Sequence, residues 1–141
     1  MHSSVRLSWR SSDQYRGLTR VALGGAAVAA AMALWGLPPL DLHGPLHRLG
    51  IMDPLCGGTR AAYFAVTARW ALAWYYNPLG PVAVVAAGLM VLRAAVGHLS
   101  GHWLGVQVTL SRRVARGLYV SSCVALLALG VRQQVIAGAL R

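Results

Sequence analysis

Val21-Ala22-Leu23-Gly24-Gly25-Ala26-Ala27-Val28-Ala29-Ala30-Ala31-Met32-Ala33-Leu34-Trp35-Gly36-Leu37 runs without a single charge. Leu18 and Thr19 extend it, and Arg20 can reach back to the near interface. Together they supply the roughly 20 residues that a bilayer core requires. Trp35 sits at the far end, where an indole prefers the interface. Pro38 and Pro39 stop the helix. The rest of the chain agrees with this reading. Hydrophobic residues make up 57% of the 141 and charged residues 11%, against about a quarter charged in a soluble domain. So apolar a chain is not disordered. Every one of its thirteen basic residues is Arg, and its acids are Asp13, Asp41 and Asp53. The formal charge of +10 does not point to nucleic acid, because the arginines are dispersed between apolar runs and form no solvated cationic face.

Working outward, residues 1–20 alternate Ser with Arg6, Arg10, Arg16 and Arg20. They read as a basic tail, or as a helix lying on the headgroups. Residues 18–37 are the first span. No small-residue cleavage site follows it, so it is read as a retained anchor. Residues 38–58 form a Pro/Gly loop with Leu40, Leu42, Leu46, Leu49 and Ile51 recurring through it. A helix over 59–76 follows. At helical spacing Arg60, Tyr63, Thr67, Trp70 and Trp74 share one face, and Ala62, Ala65, Arg69, Ala73 and Tyr76 the other. Such a helix suits the membrane interface or a re-entrant path. Asn77-Pro78 breaks the chain and opens a second span over 78–97, with Arg93 reaching for the interface at its end. Residues 98–116 form a basic loop, and 117–136 the third and weakest span, interrupted by Arg132-Gln133-Gln134. The expected fold is therefore one all-α integral membrane domain over 1–141. It has three transmembrane helices and an interfacial or re-entrant helix between the first and second.

Charge sets the topology. Arg6, Arg10, Arg16, Arg20, Arg93, Arg112, Arg113 and Arg116 fall on one side; Arg48, Arg60, Arg69, Arg132 and Arg141 fall on the other. The positive-inside rule puts the N-terminus and the 98–116 loop in the cytoplasm. The cysteines, Cys56 and Cys123, make no disulfide framework, since Cys123 lies inside an apolar run.

The most unusual segment is Asp53-Pro54-Leu55-Cys56-Gly57-Gly58-Thr59-Arg60-Ala61, followed at a distance by Asn77-Pro78-Leu79. It resembles a bacterial membrane family, domain of unknown function 2752. That family is marked by Cys-Pro-x-Cys-Gly-x-Thr-Arg-Ala, a short helix, and Asn-Pro-Leu opening a transmembrane helix. The resemblance covers roughly residues 45–97. It rests on Pro54, Cys56, Gly57, Thr59, Arg60, Ala61, Asn77, Pro78 and Leu79. Asp53 stands where the family has its first cysteine, which argues against a Cys-x-x-Cys redox or metal pair. The resemblance implies architecture and brings no activity.

From the residues themselves, three readings of this turn are open. The first is structural: the glycines make a tight turn, Thr59 caps the helix, and Arg60 pairs with Asp53. The second is an anion site, in which open backbone N–H groups of Gly57 and Gly58 and the Arg60 guanidinium hold a lipid phosphate. The third is a nucleophilic Cys56, its thiol pKa lowered at a helix start. Elsewhere, His43/His47 and His98/His102 have helical metal-ligand spacing, but glycine and proline interrupt it, and two histidines make an incomplete site. No metal or other cofactor is implied. Arg69 lies on a small-residue face and is a candidate contact for a partner's acidic group. Gly24, Gly25, Gly88 and Ala94 favour close helix contact. Trp70, Trp74, Tyr75 and Tyr76 read as an aromatic belt.

The expected function is a non-catalytic accessory subunit or assembly factor of a larger membrane complex, or a homo-oligomer. The alternative is anionic-lipid binding at the Cys56–Arg60 turn, and a Cys56-dependent enzyme comes last. The expected partners are membrane lipids and another membrane protein or a second copy. The expected place is the bacterial inner membrane.

Overall fold

The computed structural model describes residues 3–37, 50–136 and 138. The Pro38-Pro39 stop, most of the Pro/Gly loop, the His43/His47 pair, Asp41, Arg48 and Arg141 lie outside the described residues. In chain order the elements are β1 (Ser4–Arg10), α1 (Arg16–Trp35), α2 (Gly58–Val66), α3 (Trp70–Tyr76), α4 (Leu79–Ser100), β2 (Trp103–Thr109) and α5 (Arg112–Val135). Three of the helices, α1, α4 and α5, are long and apolar enough to cross a membrane. The helical architecture and the three spans are as expected. The ends move slightly: α4 runs on to Ser100, and α5 starts at Arg112 rather than 117. Ser111 starts α5 early, its hydroxyl accepting from the Val114 N–H at 3.4 Å. Arg112, Arg113 and Arg116 are therefore helical, not loop.

Two expectations are corrected. The basic tail is a strand, and so is part of the 98–116 loop. β1 and β2 pair antiparallel, with Ser4 opposite Thr109, Leu7 opposite Val106 and Arg10 opposite Trp103. Val5, Leu7 and Trp9, and Leu104, Val106 and Val108, alternate with the period of two that a strand requires. The helix expected over 59–76 is broken in two. The Ala68 N–H donates to Ala65 O at 3.2 Å and the Arg69 N–H to Phe64 O at 2.8 Å. This pair of bonds closes α2 with a left-handed residue, Ala68, at φ 59°. The two shared faces read across 59–76 are therefore not continuous, and Arg69 becomes the exposed residue that starts α3.

α1, α2 and α4 pack together, and α3 lies on α2 and α4. The contact is close because it is made by small residues. Ala61 and Ala65 of α2 are buried, and a Cβ on Gly80 of α4 would come within 2.4 Å of the Ala61 Cβ. At the other end of α4, Gly97 lies against the Trp103 ring, where a Cβ would come within 2.5 Å of ring carbons.

A polar latch fixes the sheet to the spans. Arg93 does not reach for solvent as expected. Its Nε donates to Leu104 O at 2.6 Å, and its Nη1 meets Asp13 Oδ1 at 3.0 Å. Both side chains are about nine-tenths buried. The guanidinium also lies over the rings of Tyr15 and Trp103, at 5.0 and 5.5 Å from their centroids. Asp13 accepts from Thr19 Oγ1 at 2.7 Å and from the Tyr15 N–H at 2.8 Å. Burial alone would raise the Asp13 pKa. The hydrogen bonds from Thr19, Tyr15 and Arg93, with the Arg93 charge, outweigh it and hold the carboxyl below the usual aspartate value.

Two outcomes follow from this packing. Because folding depresses the Asp13 pKa, its stabilising contribution is complete above about pH 4 and is lost as pH falls through the depressed value. Amide exchange of β1 and β2 should therefore accelerate on acidification, and Asp13→Asn should remove that pH response. Ala68→Gly relieves a left-handed alanine and should raise unfolding stability by about 1 kcal/mol in detergent, read as a shift in midpoint.

Candidate functional site

The motif residues 53–60 and 77–79 come together in an elbow beside the start of α4. Asn77 joins them. Its side chain is fully buried. Its Nδ2 donates to Pro54 O at 2.9 Å and to Cys56 O at 3.0 Å. Its Oδ1 accepts from the Leu79 N–H at 2.9 Å, across Pro78. One amide thus satisfies two carbonyls of the first motif and one N–H of the second. A buried backbone group without such a partner would cost about 1–3 kcal/mol. Pro78, at the start of α4, needs no N–H partner of its own.

Asp53 turns the chain into the elbow: its Oδ1 accepts from the Leu55 N–H at 2.7 Å, and the Cys56 N–H donates to Asp53 O at 3.0 Å. Gly57 follows at φ 77°, the left-handed conformation that favours glycine, and is the N-cap of α2. Thr59 therefore lies inside the first turn and does not cap it, contrary to the structural reading. The Arg60 guanidinium lies over the Tyr76 ring, 5.7 Å from its centroid. Tyr76 in turn stacks on Phe64 at 5.3 Å.

Cys56 is buried, with its Sγ 3.4 Å from Met52 Sδ. Tyr76 and Ile136 pack against this pair. Burial, and then the Asp53 carboxylate, push the thiol pKa up, against the opposing pull of the Gly57 N–H and Arg60. A thiolate nucleophile needs the opposite shift.

The third partner of the elbow is the end of α5, which sequence reasoning took for an interruption of the span. Arg132 Nη2 donates to Tyr75 O at 2.7 Å and to Trp74 O at 3.3 Å. Gln133, fully buried, donates from Nε2 to Tyr76 O at 3.0 Å. These are the last carbonyls of α3, which have no acceptor role within their own helix. A cation there also suits the helix dipole. Gln134 closes the other side: its Oε1 accepts from the Met52 N–H at 2.9 Å and its Nε2 donates to Gly50 O at 3.1 Å. The signal for this was present in the sequence as three consecutive polar residues at the end of an apolar run.

The remaining candidates lie apart from the elbow. Arg69 is exposed at the α2–α3 break. His98 packs edge-on to Trp103 at 4.9 Å, and His102 Nδ1 lies 2.7 Å from Ser100 O. Gly101, left-handed at φ 68°, ends α4 between the two rings. They therefore do not share a helix face. Trp70 and Trp74 of α3 form a shallow apolar groove with Val82, Val85 and Leu89 of α4.

Residues 45–91 match the model of a family described as Protein of unknown function (DUF2752). The match spans the elbow, α2, α3 and the first half of α4, so the family resemblance holds over this part of the chain. No curated protein and no solved structure matches the chain.

The elbow makes a direct prediction. Asn77→Ala leaves Pro54 O, Cys56 O and the Leu79 N–H without their partner. It should destabilise the protein by more than about 2 kcal/mol. It should also expose Cys56, so that alkylation of that thiol speeds up in the intact protein. Unchanged alkylation would show that the amide does not hold the elbow closed.

Proposed function

We propose that this protein is a small, non-catalytic membrane subunit that completes its helix packing against a larger membrane complex or a second copy of itself. The observation that carries this reading is α5. None of its apolar window is buried within the chain, although both its ends are fastened. At one end the Ser111 N–H donates to Ser3 Oγ at 3.2 Å; at the other stand Arg132, Gln133 and Gln134. The span is held away from α1 and α4, with Leu118, Leu127 and Val131 exposed. Among the described residues, nothing lies within 4 Å of a Cβ built on Gly24 or Gly25 of α1 or on Gly88 of α4. Such surfaces admit a neighbouring helix closely. On this reading the protein resides in a bacterial inner membrane with the sheet in the cytoplasm. Arg6, Arg10, Arg16, Arg20, Arg112, Arg113 and Arg116 gather at that end.

A second reading, a lipid phosphate at the Cys56–Arg60 turn, draws on one observation: the N-cap of α2 is Gly57, which brings no side chain to the first turn, although the Gly58 N–H already donates to Leu55 O at 2.8 Å. The Asp53 carboxylate beside it weighs against an anion.

The test is purification of the tagged full chain in native lipid discs, followed by native mass spectrometry. The expected result is a stoichiometric second chain. Its recovery should fall about tenfold, the equivalent of 1.4 kcal/mol, with Ala125→Trp, a bulky change at an exposed α5 position. A lone protein retaining one phospholipid, lost with Arg60→Ala, would replace this reading with the second.

A further inference from the structure

The β1–β2 sheet has its polarity reversed. Cross-strand partners share a face. One face therefore carries Ser4, Arg6, Ser8 and Arg10 with Trp103, Gly105, Gln107 and Thr109. The other carries Val5, Leu7 and Trp9 with Leu104, Val106 and Val108. The protein covers part of the first face. Trp103 lies on Gly97, and a Cβ on Gly105 would meet Ser8 Oγ at 3.2 Å and Gln14 Oε1 at 3.4 Å. The second face is open over Val5, Leu7, Trp9 and Val108, which are 66%, 68%, 63% and 55% exposed, while Val106 is less exposed and Leu104 is half-buried. The helices hold the sheet by the Trp103 end of that first face and by the outer edge of β2. Arg93 Nε donates to Leu104 O and Tyr15 Oη to Val106 O, alternate carbonyls of β2 that point the same way. The sheet thus projects from the ends of α1 and α4 with its apolar face free. A two-stranded sheet facing water would expose the opposite side.

Charge says what covers that face. Arg6, Arg10, Arg16, Arg20, Arg112, Arg113 and Arg116 are all exposed around the sheet and the adjoining helix starts. Asp13, the acid placed among them, is already committed to Arg93. The covering surface must be apolar opposite Leu7 and anionic at its rim. A leaflet rich in anionic lipid meets both demands, with acyl chains under Val5, Leu7 and Trp9 and phosphates against the arginines of the helix starts, Arg16, Arg20, Arg112, Arg113 and Arg116. The leaflet is also at hand, because α1 and α5 both start beside the sheet. Trp9, next to Arg10, has the character of an interfacial anchor.

We infer that the β1–β2 sheet is a lipid-binding paddle that lies with its Val5/Leu7/Trp9 face in the headgroup region of an anionic leaflet. This site is separate from the elbow and does not depend on the subunit role proposed above.

The test uses the full chain in nanodiscs at one protein per disc. Leu7→Cys, in a Cys123→Ser background, carries an environment-sensitive fluorophore; Gln107→Cys reports the opposite face, and Val5→Cys repeats the measurement should Leu7→Cys fold poorly. Discs contain phosphatidylcholine alone or mixed with phosphatidylglycerol. In the mixed discs the Leu7 probe should shift to the blue and be quenched by spin-labelled lipid. Iodide quenching should fall about threefold or more relative to the Gln107 probe. High salt, or Arg16→Gln with Arg112→Gln and Arg113→Gln, should reverse much of this. A Leu7 probe open to iodide in anionic discs would overturn the inference. So would shielding that appears only with two copies per disc, which would assign the face to a second copy. Equal shielding of both faces would overturn it as well, since a paddle on a leaflet leaves one side wet.

Discussion

The buried amide of Asn77 is the contact on which the elbow end of the molecule depends. It holds Pro54 and Cys56 with one nitrogen and the opening turn of α4 with its oxygen. Two turns meet there, at 53–57 and at 77–79, and each leaves backbone groups that no regular element satisfies. Placing one carboxamide at the crossing point resolves them together. It also sets where α2 begins relative to α4, and so brings Ala61 against Gly80. The end of α5 then closes over α3 by the same logic, donating side-chain N–H groups to stranded carbonyls. The matched family segment, residues 45–91, contains Asn77 and its acceptors, whereas the α5 end lies beyond it.

The opposite end is organised around charge. With three acids for thirteen arginines, ion pairs are scarce. Asp13 is placed where it does most: between the start of α1, the latter part of α4 and the backbone of β2. Arg93 meets a carboxylate, a carbonyl and two aromatic rings at once, although its Nη2 is buried without a hydrogen-bond partner among the described residues. A guanidinium is suited to such a post because its planar donors can serve several partners while its faces stack. The other arginines at this end are exposed, and their role is directed outward.

Much of this architecture was legible in the sequence. Uncharged runs of the right length identified all three spans, and the Asn-Pro-Leu and Cys-Gly-Gly-Thr-Arg segments marked the elbow. What the sequence did not reveal has physical reasons. Ala68 adopts a left-handed conformation that glycine usually signals, so the division of 59–76 into two helices left no local trace. β1 and β2 are separated by most of the chain, and their pairing is a long-range fact. Their apolar alternation stands in the sequence, but each run is short and neither names its partner. Arg93 looked like any arginine near a span's end. Its burial depends on Asp13, eighty residues away, being turned toward it by the Thr19 and Tyr15 hydrogen bonds. Gln133 looked like a fault in a span because its acceptor, Tyr76 O, belongs to a different part of the chain.

The distance in sequence between the two strands also orders events during synthesis. Residues 4–10 are made before α1 and α4, yet the template they pair with is complete only at Thr109. Until then the opening segment has no ladder to join, while α1 and α4 have already been made. It must be retained on the side of the bilayer where α4 will end, because a segment carried across could not return to meet β2. The first strand thus waits for its partner through the making of both spans that carry the sheet.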